Sequence, residues 1–512
     1  LTDLDLAVDV IKFIDEKRPP GAILCFLPGW QDIRSLCDRL QDIWPDSEEH
    51  LVLPVHSSVP LSAQQTIFER PPEGVRKIVL ATNIAETSIT INDVVYVVNP
   101  GSHKEDRYDV NMGVSCLDVQ WISKANVRQR KGRAGRCQPG ECYHLFSNNR
   151  YMQLEDYQVP EMLRIPLEQI VVRAKVHFRD MSAASLLSQA MQPPPLSAVE
   201  KAVEVLQDLA ILNADESLTP LGDKIVGIST DPRLAKALVL SAIFRCVNPV
   251  LTVAAGMHTR PPFLDSMENR AAIMKVRKSF AEDSRSDHIA QVQLFESWEQ
   301  AMYSNEVRTF NDQNLIHQST MFFIRGLRQQ LAENLEEAGL VTSSKDCLHG
   351  NDSSSDFAFD NQLIKGVLCG AFFPNLLRAR RGRVERSRLK LGQMVFKDME
   401  YNNVLLSRRS VNCTEKTFPS RWLTYFSKAM SEQIFIHDSS VVHPLAVLCM
   451  TGRRIHVTPL SSGELLTQQA ENASLEPDAE IVKLTVSEDV HGTSNRRSNR
   501  TPASFYTTYQ TS

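Results

Sequence analysis

Gln129-Arg130-Lys131-Gly132-Arg133-Ala134-Gly135-Arg136, with Thr82-Asn83-Ile84-Ala85-Glu86-Thr87-Ser88-Ile89-Thr90-Ile91 upstream of it, decides how this 512-residue chain is read. The first run is a basic block carrying two glycines. Glycine allows a ligand to approach the backbone closely, and arginine offers a planar, permanently charged fork that suits a polyphosphate. The block therefore reads as half of a nucleotide-hydrolysing site. Standing alone, it would be a solvated basic helix terminus.

Around the block, the first 150 residues alternate short apolar runs with amphipathic stretches. Residues 22–27, 51–55, 77–81 and 94–98 read as buried strands, while 31–43 and 62–70 have helical spacing. Continuous apolar strands between helices predict a parallel sheet covered on both faces. After Arg164-Ile165-Pro166 the texture becomes helical, with apolar spacing of three and four at 168–176 and 199–212, and a turn at Leu218-Thr219-Pro220-Leu221-Gly222. Residues 343–360, rich in Ser, Asp and Asn, read as a loop. Residues 367–373, 394–396, 403–406, 422–425, 433–436 and 446–450 read as short strands. From about residue 460 hydrophobic periodicity is lost and the last fifty residues are expected to be disordered. The fold class is multidomain: α/β, then α, then β.

Composition narrows the function classes. A net charge of −5 and a pI near 6.3 exclude a uniformly basic coat for nucleic acid, so any nucleic-acid contact has to come from local tracks. No apolar run reaches the roughly 18–20 residues of a membrane span. The ten cysteines contain no Cys-x-x-Cys pair, and the spacing of Cys137, Cys142 and His144 suits no common zinc set. Metal ligands are expected to be none. Reduced cysteines suit an intracellular setting: cytoplasm, mitochondrion or both, with the nucleus left open.

Residues 82–91 and 129–136 resemble the fifth and sixth motifs of superfamily 2 helicases, in the wording of the DEAH-box, RNA helicase A-like group. Cys25-Phe26-Leu27-Pro28-Gly29-Trp30 resembles the fourth motif. Runs such as 229–246, and 420–426 followed by 438–448, look most like a vertebrate, mitochondria-associated branch of that family. The resemblance implies a second RecA-like domain at 1–160, a winged helix at 161–230, a helical ratchet bundle at 231–345 and an OB-fold barrel at 346–460, with the tail at 461–512. No Gly-Lys-Ser/Thr triplet or Asp-Glu-Ala-His run occurs, and the chain opens on Leu1. It is therefore expected to be a C-terminal portion, inactive alone, whose first RecA-like domain lies elsewhere and holds most of the Mg²⁺ contacts.

The same resemblance implies site residues. Gln129, Arg133 and Arg136 would face the γ-phosphate of ATP, the two arginines as fingers that stabilise charge on the transferring group. Ser88 would approach the catalytic water, and Thr90 and Asn92 the ribose; many relatives carry Asp at the Asn92 position. Phe68 would stack on adenine, a contact that tolerates any base, although Phe68 also reads as ordinary core of an amphipathic helix. Arg130 and Lys131 would face RNA or acidic partners.

RNA, mainly its single-stranded backbone, would meet Gly29, Thr82 and Asn83, the hairpin at 101–121 with its mixed charges, and a cationic run at 378–390. In that run Arg378 and Arg380 share one face of a strand, and Arg381 and Arg383 follow. A solvated loop is the plain alternative. The Ser286-Asp287-His288 triplet suggests a hydrolase triad only superficially, because adjacent helical residues point in different directions. The implied function is ATP-dependent, 3′-to-5′ movement on or remodelling of RNA, with protein activators docking on the OB-fold. The competing readings are a non-catalytic RNA-binding adaptor and a DNA-directed helicase.

Overall fold

Among the described residues, seven strands form in the N-terminal part of the chain: β1 (Ala22–Phe26), β2 (His50–Val55), β3 (Arg76–Ala81), β4 (Val94–Asn99), β5 (Ser102–Asp109), β6 (Val114–Trp121) and β7 (Glu141–His144). The computed structural model describes residues 3–45, 48–55, 66–87, 91–109, 114–264, 269–350, 353–381, 394–430, 433–450, 455–459, 480–486 and 504–509. By contacts the chain divides into two units, Leu1–Ile165 and Pro166–Ser512.

In the first unit five strands make one sheet in the order β2-β3-β1-β4-β7, with every neighbouring pair parallel. Its helices are α1 (Leu4–Lys17), α2 (Trp30–Ile43), α3 (Ile84–Thr87), α4 (Lys124–Ala134) and α5 (Asn148–Met152). β1 is buried along its whole length. Ile23 and Cys25 pack with Ile11, Ile14, Leu36 and Leu40 of α1 and α2, whereas Leu24 and Phe26 pack with Val79, Val97 and Ala134 on the other face. Burial on both faces explains why these strands are continuous apolar runs. The four strands expected in this region stand within one residue of their expected bounds.

Two readings change here. Of the helix expected at 62–70, the described residues show only a 3₁₀ turn at Thr66–Phe68. β7 was not foreseen, because its residues are half-buried to exposed and carry little apolar signal. β5 and β6 pair antiparallel from Ser102↔Trp121 to Asp109↔Val114, the hairpin expected at 101–121. Gly101 turns the chain from β4 into β5 with φ +82°, and a Cβ there would meet the Phe146 ring at 2.6 Å.

The second unit begins with α6 (Glu168–His177), α7 (Ala183–Leu187), α8 (Leu196–Asp208), α9 (Pro220–Ile225), α10 (Pro232–Ile243), α11 (Val247–Met257), α12 (Arg270–Ala281), α13 (Asp287–Tyr303), α14 (Val307–Asn314), α15 (Gln318–Glu337), α16 (Ser344–His349) and α17 (Asn361–Phe372). Next come β8 (Leu376–Arg381), β9 (Met394–Asp398), β10 (Asn403–Leu406), β11 (Trp422–Met430), β12 (Ile434–Val442) and α18 (Pro444–Met450). β8 pairs with β9, β9 with β10 and β11 with both β8 and β12, all antiparallel; β10 and β12 pair parallel and complete a closed five-stranded barrel.

Three expectations fail in this unit. Residues 367–373 and 446–450 are helical, in α17 and α18, and not strands. Short apolar runs do not distinguish a strand from a buried helical segment; here Asp360 caps α17 by accepting from the N–H groups of Gln362 and Leu363. The loop expected at 343–360 contains α16, capped by Ser343. The tail expected to be disordered contains β14 (Glu480–Val486) and β15 (Ser504–Tyr509), which with β13 (Ile455–Pro459) form an antiparallel sheet in the order β13-β14-β15. β-Branched and aromatic residues in these two runs favour strand, and the polar residues between them had masked the signal.

A candidate nucleotide and nucleic-acid site

α4 starts on a capping box. Ser123 Oγ accepts from the Asn126 N–H at 3.2 Å, and Asn126 Oδ1 accepts from the Ser123 N–H at 3.3 Å. Helical spacing then turns Val127, Arg130 and Ala134 inward. Arg130 is 0% exposed, and four hydrogen bonds answer its guanidinium. Nη1 donates to Asn99 Oδ1 at 3.0 Å and the Ser102 carbonyl at 3.2 Å, Nη2 to Asn83 Oδ1 at 2.8 Å, and Nε to Glu86 Oε2 at 3.2 Å. Its face lies 4.6 Å from the centroid of the Phe26 ring. Asn126 Nδ2 donates to the other oxygen of Glu86.

Of the two partners expected for Arg130, RNA or an acidic group, the structure supplies the acidic one, Glu86, and burial leaves Arg130 no access to RNA. Burial pulls its pKa down while Glu86 draws it up, so the pairing is what keeps the charge inside. Sequence spacing left the direction of each side chain open; of the block's three arginines, Arg130 is the interior fixture.

Gln129, Lys131 and Arg136 are exposed and Arg133 is half-buried. Partial burial and the nearby charge of Arg136 lower the pKa of Arg133, opposed by Glu86. Two like charges that feel each other in this way are relieved by an anion. Cys137 Sγ donates to Asn92 Oδ1 at 3.6 Å, which sets exposed Asn92 beside the end of the arginine run. Asn92 thus lies beside Cys137, the residue that follows Arg136 in the chain. Ser88 and Thr90 lie outside the described residues.

The Thr82 N–H donates to the Val55 carbonyl at 3.4 Å, and the Thr82 carbonyl accepts from the Ala85 N–H at 3.1 Å at the start of α3. Asn83 gives its side-chain oxygen to Arg130, so that oxygen is already engaged. Phe68, on the 3₁₀ turn, is 55% exposed, which sets aside the reading of it as ordinary core. Gly29 is the N-cap of α2 and is covered by β5: a Cβ at Gly29 would meet Lys104 Nζ at 2.8 Å. Lys104, passed over as one charge of a mixed set, thereby brings a cation to a helix N-terminus.

On the barrel, Arg378 is half-buried and Arg380 exposed, with Ala379 buried between them. Arg378 stands opposite Lys397 in the β8–β9 ladder, so cations gather on one face. Arg381 ends β8, and Arg383 lies outside the described residues. The Ser-Asp-His triplet is structural. Ser286 caps α13, and Asp287 accepts from Ser410 Oγ at 2.6 Å, the Val411 N–H at 2.8 Å and the Ser439 N–H at 2.9 Å. His288 Nδ1 lies 2.6 Å from Ser440 Oγ. Among the described residues no group of three or more His, Cys, Asp or Glu could hold a metal ion, and no helix is long and apolar enough to cross a membrane. All ten cysteines are free.

The pattern of the helicase conserved C-terminal domain matches residues 5–138, the stretch that holds the parallel sheet up to β4, the hairpin and α4. That of the helicase associated domain (HA2), ratchet-like, matches 231–291. Over 461 residues, 89% of this chain, the sequence is 46% identical to the human ATP-dependent RNA helicase DHX30. The chain belongs to the DEAH-box helicase family. Other members of the family are similar as well. The human ATP-dependent DNA/RNA helicase DHX36 is 38% identical over 88% of the chain, and the Arabidopsis thaliana DExH-box ATP-dependent RNA helicase DExH1 is 38% identical over 90%. The chain spans 38%, 44% and 45% of these three relatives respectively.

Proposed function

We propose that this chain supplies the C-terminal half of an ATP-dependent motor that moves 3′ to 5′ on RNA or remodels it. The observation that carries the reading is the division of labour in α4. Arg130 is buried and locks the helix to the Thr82–Glu86 segment, while Gln129, Arg133 and Arg136 are left at the surface beside Asn92.

These residues fit a nucleotide: two guanidiniums for phosphates, a carboxamide for a ribose hydroxyl and an exposed ring for a base. ATP, when bound, supplies the phosphoryl group that passes to water. Arg133 and Arg136 stabilise the charge on that group, Gln129 and Ser88 orient the water, and Phe68, Thr90 and Asn92 hold the nucleoside. The ligands of the Mg²⁺ that accompanies ATP are assigned to the partnering first RecA-like domain.

Gly29, Thr82 and Asn83 in the first unit, and Arg378, Arg380, Arg381 and Arg383 on the barrel, grip the RNA backbone without reading bases. The barrel, with its one parallel pair, supports an OB-fold assignment and offers a seat for protein activators. The Leu212↔Leu218 bridge, which follows α8, supports a winged helix, and α10 to α15 support the ratchet bundle. Free thiols support an intracellular compartment, cytoplasmic or mitochondrial.

The test is RNA-stimulated ATP hydrolysis by the natural full-length protein and its Arg136→Ala variant. Loss of most turnover in the variant is the expected outcome. A parent that binds RNA but hydrolyses nothing would make the protein an RNA-binding scaffold instead.

A further inference from the structure

Lys77 is a lysine in a hydrophobic wall. On β3 it shares a face with Val79 and Ala81, which belong to the core beneath Leu24 and Phe26, and it is 1% exposed. An ammonium carries three donors, and one taken out of water is tolerated only when they are answered. Lys77 Nζ donates to the carbonyls of Ile67 at 2.9 Å and Glu69 at 2.8 Å, and it ion-pairs with Asp93 Oδ2 at 2.7 Å.

The identity of those three oxygens gives the contact its meaning. Ile67 and Glu69 flank Phe68, and Asp93 follows Asn92 in the chain. One buried cation therefore ties the turn that carries the exposed ring to the segment that carries the exposed carboxamide. An apolar side chain would fill the wall equally well, but it would leave both carbonyls unanswered and the two segments unlinked.

We propose that Lys77 is a positioning residue for the nucleoside, holding Phe68 and Asn92 at a fixed separation so that base and ribose are met together. The inference rests on the assignment of Phe68 and Asn92 to base and ribose. Because a ring face accepts any base, Lys77 sets affinity for ATP and GTP alike and does not choose between them.

The test is a double-mutant cycle in the natural full-length protein, measuring KM and kcat for ATP and GTP with RNA present. Lys77→Met is expected to raise both KM values roughly tenfold, the size of one lost base–aromatic stack, with kcat within about twofold. In a Phe68→Ala background Lys77→Met is expected to add little, because the group it positions is gone. If Lys77→Met does not fold, Asp93→Asn, which keeps the carbonyl contacts, replaces it in the same cycle.

Equal KM increases in both backgrounds, or a fall in kcat and melting temperature with KM unchanged, would make Lys77 a core fixture only and overturn the inference. A parent that hydrolyses no ATP overturns the motor reading and this inference together. A hydrolysing parent with an unaffected KM overturns the inference alone.

Discussion

Arg130 Nε lies 3.2 Å from Glu86 Oε2, with the two side chains only 0% and 4% exposed. A pair so deep is poor evidence of added stability, yet breaking it leaves an uncompensated charge inside the protein. Arg130→Met is therefore expected to cost about 3–5 kcal/mol and to lower the melting temperature sharply. Arg136→Ala, at an exposed position, is expected to stay within about 0.5 kcal/mol. Thermal melts of the two variants check this, and an Arg130→Met protein that melts with the parent would refute it. The contrast also separates the two kinds of arginine in one motif: the first fails by unfolding, the second by losing turnover.

Arg378, opposite Lys397 in the ladder, and Arg380 two residues on make the outer face of β8 cationic. If that face tracks a phosphate backbone, Arg380→Gln weakens single-stranded RNA by a similar factor for every sequence. The slope of log K against log salt then falls by about 0.7, the value for one phosphate contact on a single strand. Binding isotherms of two unrelated oligonucleotides at several salt concentrations measure both quantities. A loss confined to one sequence would point to base contacts instead.

Asp287 accepts from the Ser410 hydroxyl and from the Val411 and Ser439 N–H groups, and Arg277 Nη2 lies 3.4 Å from its Oδ1. Three polar groups lose their acceptor together in Asp287→Ala, so a loss of about 3–5 kcal/mol is expected. Ser286→Ala removes one helix cap and is expected to cost about 1 kcal/mol. Chemical denaturation of both variants gives the two values. Near-equal costs would mean that Asp287 is not the anchor its contacts describe.

The parallel sheet was legible because strands buried on both faces have to be continuous apolar runs, as in 22–26 and 76–81. The same rule misread 367–373 and 446–450, which are equally apolar but belong to helices packed on the barrel. Edge strand β7 carried too little apolar signal to be seen. For the proposed site, residue type and motif order pointed to Arg133, Arg136 and Asn92. What spacing left unresolved was direction. Arg130 sits in the same block as its outward neighbours and turns inward, and Lys77 looks like a flanking charge until Ile67, Glu69 and Asp93 are found around it. Burial of a charge is a tertiary property, and a one-dimensional pattern carries no sign of it.

His288 and Asp438 bias stability in opposite directions as pH changes. Burial, outweighing the neighbouring Asp287 charge, pulls His288 from 6.5 down to about 4. Between those values the unfolded chain binds the proton and the folded one does not, so this stabilisation is complete above pH 6.5 and is lost as pH falls towards 4. Asp438 is the reverse: burial and Asp287 push it from 3.8 up to about 6, so between those values the folded state holds the proton. Its ionisation costs stability progressively as pH rises from 3.8 to about 6, and the full cost persists above. Asp287 and Arg277 face both groups and remain in every variant. His288→Asn keeps a polar atom near Ser440 and removes the titration. Its deficit in melting temperature against the parent is expected to be largest at pH 7 and to shrink by pH 5. Asp438→Asn is expected to gain on the parent at pH 7 and to lose that advantage as pH falls towards 4. Melts at pH 4, 5 and 7 decide both, and a His288→Asn deficit that is constant across the three would mean that His288 contributes packing without a buried neutral state.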